Sequence, residues 1–580
     1  MDKDYLNSLR HSCSHLLAAA VLELYPNAKP TLGPPIDDGF YYDFDFSAPI
    51  SENDLPRIEE KMNQLIKVWR GFERSEVPSD EAKQRYANNP YKRELIEEFS
   101  AQGQTISFYK AGDFEDLCRG GHVENPSKEL KHFKLLSVAG AYWRGSEKNK
   151  MLTRIYGTAF PTKEELEARL KMLEEAKKRD HRVIGKALHL FTFDNLAGKG
   201  LPLWLPHGTI MKDEVEKYAK EMEERFGYIR VSTPHVGKKE LFETSGHLPY
   251  YADSMYPPMK MDDGVYYLKA MNCPHHHLIY RAGPKSYRDL PLRLAEYGTV
   301  YRNELSGTLA GLLRVRSLQM NDAHVYCRKD QIKDEIERVL ALTLALFKTF
   351  GLKEYWFRLS KWDPANKEKY IDEPDNWTYA EAVLRDVLKA SGEKYEEVDN
   401  EAAFYGPKID VQFKSAVGRE ETMSTIQLDF AAKKRFRLVY TDQTGVENNE
   451  VFVIHRAPLS THERFMAFLI EHYAGAFPVW LSPVQVVVLP VKTDHNDSAH
   501  TFADELKKEG IRVSMDDSNE TIGNKIRKAS GEKIPYQLVF GDKEINSDEL
   551  MVRVRGEKEQ EKMTRQEFLA RVTQEIAIRA

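Results

Sequence analysis

His11 and His15 lie four residues apart in a stretch, 4–25, whose apolar residues recur at helical spacing, so both imidazoles leave one helix face. A second pair with the same spacing, Cys118 and His122, sits in DLCRGGH. Together they offer a thiol and three imidazoles, a set able to hold zinc or to orient a water. Read from the residues alone, two unrelated pairs, one on a helix surface and one in a loop, is an equally open account.

The middle of the chain carries a different set. In order it reads RVSTPHVGKKELFETSGH (230–247), MNCPHHH (271–277), YRNELSG (301–307), LLRVRSLQMNDAH (312–324), YGPKID (405–410) and HRAPLSTHERF (455–465). Arginines fixed in such segments suit chemistry in which negative charge gathers on phosphate oxygens, because a guanidinium binds two oxygens at once. The ordinary role of any single arginine is a surface ion pair. A thiol with imidazoles is again a good zinc set, yet MNCPHHH alone does not single out Cys273 over its neighbours.

These residues need scaffolds. Helix 4–25 ends before Pro26, and GFYYDFDF (39–46) alternates aromatic and acidic residues as a strand does. Residues 162–180 are highly charged with Leu and Met at helical spacing, a solvated connecting helix, and 208–226 is a further amphipathic helix. From Pro483 the pattern changes to VQVVVLPV, a continuous apolar run like a buried parallel strand. A helix (498–509), IRVSM, a helix (522–530), YQLVF and LMVRVR follow, predicting a small α/β domain with a mostly parallel sheet.

At 580 residues the chain is too long for one core, and three to five domains of roughly 100–200 residues are expected. Its 84 basic and 90 acidic residues give a net charge of −6, which excludes a polybasic tail but not a local RNA-binding patch. Four widely spaced cysteines argue against a disulfide scaffold and suit a reducing compartment. The N-terminus has no secretory pattern and no run of about 18 apolar residues occurs, so a cytoplasmic protein without membrane spans is expected.

The quoted segments resemble the class II aminoacyl-tRNA synthetases, and within them the threonyl-tRNA synthetase family. Residues 230–247 are similar to motif 1, which builds the dimer interface in that class; 301–324 resemble motif 2 and 455–465 motif 3. The N-terminal pairs, with YWRGSEKNKMLTRIYGTAF (142–160), resemble the editing domain shared by threonyl- and alanyl-tRNA synthetases. The end of the chain resembles the anticodon-binding domain of class IIa. The implied fold is α+β and multidomain: an editing domain (1–161), a linker helix (162–185), a catalytic domain on an antiparallel sheet (186–482) and an α/β anticodon-binding domain (483–580).

The resemblance implies a ligase that activates L-threonine with ATP, transfers it to tRNA(Thr) and hydrolyses mischarged seryl-tRNA, acting as a homodimer with one zinc per subunit and magnesium brought by ATP. Arg302 and Arg464 are implied as catalytic and ATP-binding, with Glu304, Arg314 and Gln427 as further ATP contacts and Asp322 and Tyr405 as threonine contacts. Cys273, His324 and His455 match the zinc ligands. His11, His15, Lys92, Asp116, Cys118 and His122 match the editing site, which in this branch works through ordered water without metal. Asn519, Arg527, Glu544 and Arg553 match anticodon contacts. Two sites answer one problem. A zinc that demands a hydroxyl rejects valine, whereas serine lacks only a methyl, worth about 1–3 kcal/mol, so a second, serine-removing site is needed.

Four positions depart from the family pattern: Gly121 where Pro is usual, Ser460 where motif 3 has Gly, Leu318 where an aromatic stacks on adenine, and Met320 where Gln is common. Many members carry a small domain before the editing domain, whereas here Met1 stands ten residues before His11. The departures leave room for an RNA-binding regulator with a weakened site, opposed by the retention of Arg302 and Arg464, and for an editing hydrolase acting in trans, opposed by the complete catalytic segments.

Overall fold

The computed structural model describes residues 2–146, 148–414 and 420–579, so Glu147, inside the 142–160 segment, lies outside the described residues. The chain forms two compact units, Met1–Glu174 and Glu175–Ala580. Among the described residues no helix is long and apolar enough to cross a membrane.

In the first unit, helix Lys3–Leu24 is started by Asp2, whose side chain accepts the Asp4 N–H. Its Leu9, Cys13, Leu16, Leu17 and Ala20 are fully buried against a five-stranded sheet. The expected aromatic–acidic strand is Gly39–Asp45, paired antiparallel with Met151–Ala159. Phe40, Tyr42 and Phe44 point into the core, while Asp43, on the opposite face, binds Arg154 through two hydrogen bonds of 2.7 and 2.8 Å. A separate three-stranded sheet, Glu73–Glu76, Ser107–Ala111 and Phe114–Leu117, carries Asp116.

The second unit is built on an eight-stranded sheet ordered Ile229–Arg230, Leu292–Tyr301, Ser317–Cys327, Phe452–Arg456, Glu420–Asp429, Lys408–Lys414, Tyr355–Ser360 and Tyr395–Val398. The six inner strands pair antiparallel, and only the outermost strand at each edge pairs parallel. Helices Pro206–Arg225, Ile332–Thr349, Pro374–Ser391 and His462–Tyr473 cover the sheet and share one core with it, through Met211, Leu346, Trp377 and Phe465 among others.

The charged connecting helix runs over Lys163–Arg179, and the chain's division falls inside it. A new helix, His181–Ala187, begins at Asp180, whose side chain caps Arg182 N–H; its Ile184 joins the core of the second unit. The last domain has five strands ordered Val513–Met515, Val486–Pro490, Tyr536–Phe540, Glu549–Val554 and Gln560–Thr564. Only two of its four pairings are parallel, so the sheet is mixed rather than mostly parallel. The reason is connection length: helices join the parallel strands, whereas the last two are reached by short connections that can only reverse the chain.

Candidate active site

Of the six quoted segments, all but 230–247 deliver side chains to one cavity of about 640 Å³. Strand register makes its floor. His324 pairs with His455, His455 with Gln427 and Gln427 with Lys408, so these four lie in one row across the sheet. Asp322, two residues before His324, leaves the same face. Cys273 enters from above as the first residue of helix Cys273–Arg281. One donor atom each from Cys273, His324 and His455 lies within 4.8 Å of the others, and the two rings stand 4.5 Å apart at 81°.

This set fits zinc. A thiol and two imidazoles leave a further coordination position open, and each ring is held from outside by its other nitrogen. His455 Nε2 lies 3.1 Å from Asp429 Oδ2, and Asp429 is itself fixed by the N–H groups of Ala431 and Ala432. His324 Nδ1 lies 2.8 Å from His276 Nδ1. Burial, with help from the neighbouring His455 and His276, keeps His324 neutral. Burial and the carboxylates Asp322 and Asp429 push the Cys273 thiol up, so it gives up its proton only to a cation. Burial likewise raises Asp322, which accepts a 3.0 Å hydrogen bond from Asn272.

Higher in the cavity two guanidiniums have no carboxylate partner among the described residues. The buried Arg302 Nε makes no hydrogen bond. Among the described residues Arg464 donates only to the carbonyls of Leu313 and Thr422, both at 3.3 Å. Burial, then the charge of Arg302, lowers the pKa of Arg464, so the two cations stand close enough to repel and await an anion. Glu304 and Arg314 are paired with each other at 2.7 Å. Tyr405 stacks on the His455 ring and its hydroxyl donates to Gln427 Oε1.

The first unit brings its own set together. Donor atoms of His11, His15, Cys118 and His122 lie within 4.8 Å of one another, which removes the reading of two unrelated pairs. His11 stacks on His122 with centroids 4.4 Å apart, and Cys118 Sγ lies 3.2 Å from His122 Nε2. Burial and the neighbouring rings push His122 down to about 2, and burial raises Cys118 to about 11, so the cluster is uncharged at neutral pH. Beside it Lys92 and Asp116, both buried, pair at 2.6 Å. His11, His15, Cys118, Lys92 and Asp116 line a cavity of about 390 Å³ with Thr31, Leu32 and Phe99.

The tRNA synthetase class II core domain (G, H, P, S and T) matches residues 259–473, the Anticodon binding domain 485–575, and the Threonyl and Alanyl tRNA synthetase second additional domain 106–156. A threonine–tRNA ligase of Staphylococcus carnosus is 51% identical over 576 residues, 99% of this chain and 89% of that one. One of Staphylococcus aureus is 50% identical over 579 residues, with 100% and 89% covered. The chain belongs to the threonyl-tRNA synthetase family. A crystal structure of the RNA binding domain of threonyl-tRNA synthetase from Cryptosporidium parvum aligns with TM-score 0.65 and 33% identity over 68% of this chain and 98% of that one.

Membership in the threonyl-tRNA synthetase family gives the departures structural meaning. Gly121 has φ +84°, which a proline ring, fixed near −65°, cannot adopt. The loop therefore follows a path closed to the residue usual there. Ser460 has φ 54°, the left-handed region that suits the glycine common at this position. Leu318 and Met320 both line the large cavity.

Four residues escaped the sequence reading. Tyr42 and Tyr86 donate to Asp116 at 2.5 and 2.9 Å, Asp429 holds His455, and His276 holds His324. Tyr42 was legible only as a core aromatic, and His276 was indistinguishable from its neighbours in a run of three histidines. Among the anticodon candidates Asn519 and Arg527 are exposed and Arg553 is half-buried. Glu544 is buried, and its carboxylate accepts the Gly541 N–H at 3.0 Å as a helix cap.

Proposed function

We propose that this chain joins threonine to its tRNA in two steps at the large cavity and removes serine at the cavity of the first unit. Activation is attack of the amino-acid carboxylate on the α-phosphorus of ATP, with pyrophosphate leaving. Arg302 is assigned to the α-phosphate and carboxylate, and Arg464 to the adenine and γ-phosphate. Their work is positioning and neutralising charge, with no side chain acting as nucleophile. Glu304, Arg314 and Gln427 are the supporting ATP contacts; the Glu304–Arg314 pair must then open or turn toward the nucleotide. Magnesium arrives with ATP.

Cys273, His324 and His455 are assigned as ligands of one zinc per subunit. Zinc held there would take the amino nitrogen and side-chain oxygen of threonine, a demand valine cannot meet. Asp322 and Tyr405, beside that position, would orient the substrate. In the first unit, neutral His11, His15, Cys118 and His122 are assigned to hold a water near the ester of seryl-tRNA, with Lys92 and Asp116 fixing the wall. Asn519, Arg527, Glu544 and Arg553 are assigned to the anticodon, Glu544 only by way of its cap. A homodimer formed through 230–247, a cytoplasmic location, and domain extents 1–161, 162–185, 186–482 and 483–580 complete the proposal.

The observation that supports this best is the meeting, in a single cavity, of a Cys–His–His set with two arginines that have no carboxylate partner among the described residues. Purified protein should exchange pyrophosphate into ATP in a threonine-dependent manner, charge tRNA(Thr), and hydrolyse seryl-tRNA(Thr). Absence of the exchange would sink the ligase reading and favour an RNA-binding regulator.

A further inference from the structure

His276 lies between the zinc-type set and a buried carboxylate. It is wholly buried, and its Nε2 is 3.0 Å from Glu296 Oε2. Every other group facing Glu296 donates. Thr233 gives its N–H to Oε1 at 2.8 Å and its hydroxyl to Oε2 at 2.8 Å, and the Lys269 ammonium stands 3.7 Å away. Burial alone would raise the Glu296 pKa, but the His276 bond, Lys269 and Thr233 hold it down to about 2. Glu296 is therefore an acceptor only.

That fixes the donors in sequence. His276 Nε2 gives its hydrogen to Glu296, which leaves Nδ1 as the acceptor of the ring. Only 2.8 Å separates this atom from His324 Nδ1, room for one hydrogen, which must belong to His324. Its Nε2 is left as a lone pair. We infer that Thr233, Glu296 and His276 form a relay, reaching from the first motif-like segment, that sets the His324 tautomer and orientation for metal binding. His276 is a positioning residue in it. This rests on the zinc reading of Cys273, His324 and His455.

The relay makes an unusual demand on one substitution. In Glu296→Gln the Thr233 N–H needs the amide oxygen at the Oε1 position, so the NH₂ group faces His276 Nε2. His276 then carries its hydrogen on Nδ1, His324 Nδ1 becomes the acceptor, and His324 Nε2 presents N–H where the metal needs a lone pair.

The test is zinc affinity, by competition with a chromophoric chelator, on metal-stripped full-length protein whose circular dichroism matches wild type. Wild type should bind one zinc, and Glu296→Gln and His276→Ala should each bind roughly 10- to 100-fold more weakly. Cobalt absorption of the variants should report a changed ligand field. Should Glu296→Gln fail to fold, His276→Ala decides alone, since it leaves Glu296 to Thr233 and Lys269. Wild-type affinity in the folded variants overturns the relay and leaves the zinc reading standing. Wild type that binds no zinc overturns the zinc reading itself.

Discussion

His324 and His455 are register partners on adjacent antiparallel strands, with rings 4.5 Å apart and nearly perpendicular, although they stand 131 positions apart in the chain. Directly opposed residues of an antiparallel pair have neighbouring Cβ atoms, so the ladder alone brings two imidazoles together. Cys273 completes the set from a helix end. Replacing Cys273 with alanine removes the thiolate ligand and leaves two imidazoles. The expected outcome is a fall from about one zinc per chain to near none, with threonine-dependent exchange lost in parallel. Metal analysis after dialysis checks it; zinc retained at wild-type stoichiometry refutes the assignment.

Arg302→Lys keeps a positive charge but gives up the planar fork. Among the described residues the buried Arg302 Nε has no partner to lose, so the fold should be spared. Losing bidentate contact to developing charge should slow exchange roughly 100- to 1,000-fold with melting unchanged. A lysine variant within a few-fold of wild type would place the α-phosphate elsewhere.

The sequence announced the catalytic floor only through its resemblance to motifs 2 and 3, whose strands bring His324 and His455 into register beside Gln427. It was silent on His276 and Asp429, because a residue that holds a ligand's far nitrogen has no spacing rule to mark it. The N-terminal cluster was only half legible. Helical spacing joins His11 to His15, but nothing local announces that the loop of Cys118 and His122 folds over that helix face. The last sheet was misjudged at its end, since a strand's apolar content does not say whether its neighbour runs parallel.

Lys92 and Asp116 test the first unit. Both are buried, and Tyr42 and Tyr86 donate to Asp116 as well. Lys92→Met would strand a carboxylate and should cost about 3–5 kcal/mol in urea unfolding of this unit, whereas Lys92→Met with Asp116→Leu should recover part of that loss. Both variants should lose seryl-tRNA hydrolysis while threonine activation persists. A double variant no more stable than the single one would argue that the pair carries little desolvation burden.

Ser460 sits in the left-handed region at φ 54°, where a side chain costs roughly 1–2 kcal/mol and glycine costs nothing sterically. Glycine's greater freedom in the unfolded chain takes back about 0.5–1 kcal/mol. Ser460→Gly should therefore raise stability by about 0.5 kcal/mol without harming threonine-dependent exchange. A lower melting temperature would mean that the serine hydroxyl makes a contact worth more than the strain.

Glu463 supplies a pH dependence. Burial raises its pKa from 4.5 to about 7, although it accepts the Gln319 N–H at 3.0 Å. The folded protein then holds a proton that the unfolded chain releases above the ordinary carboxylate pKa. Between about pH 4.5 and pH 7 the native state binds more protons than the unfolded state, so this group makes stability fall as pH rises through that window. Above pH 7 its ionised form costs on the order of 3 kcal/mol, the equivalent of that pKa difference. Glu463→Gln keeps an acceptor for Gln319 and cannot ionise. It should stabilise the protein by about 2–3 kcal/mol at pH 8 and leave stability unchanged near pH 4.5. Urea titrations of both proteins at the two pH values decide it; an equal difference at both would show that Glu463 is not the titrating group.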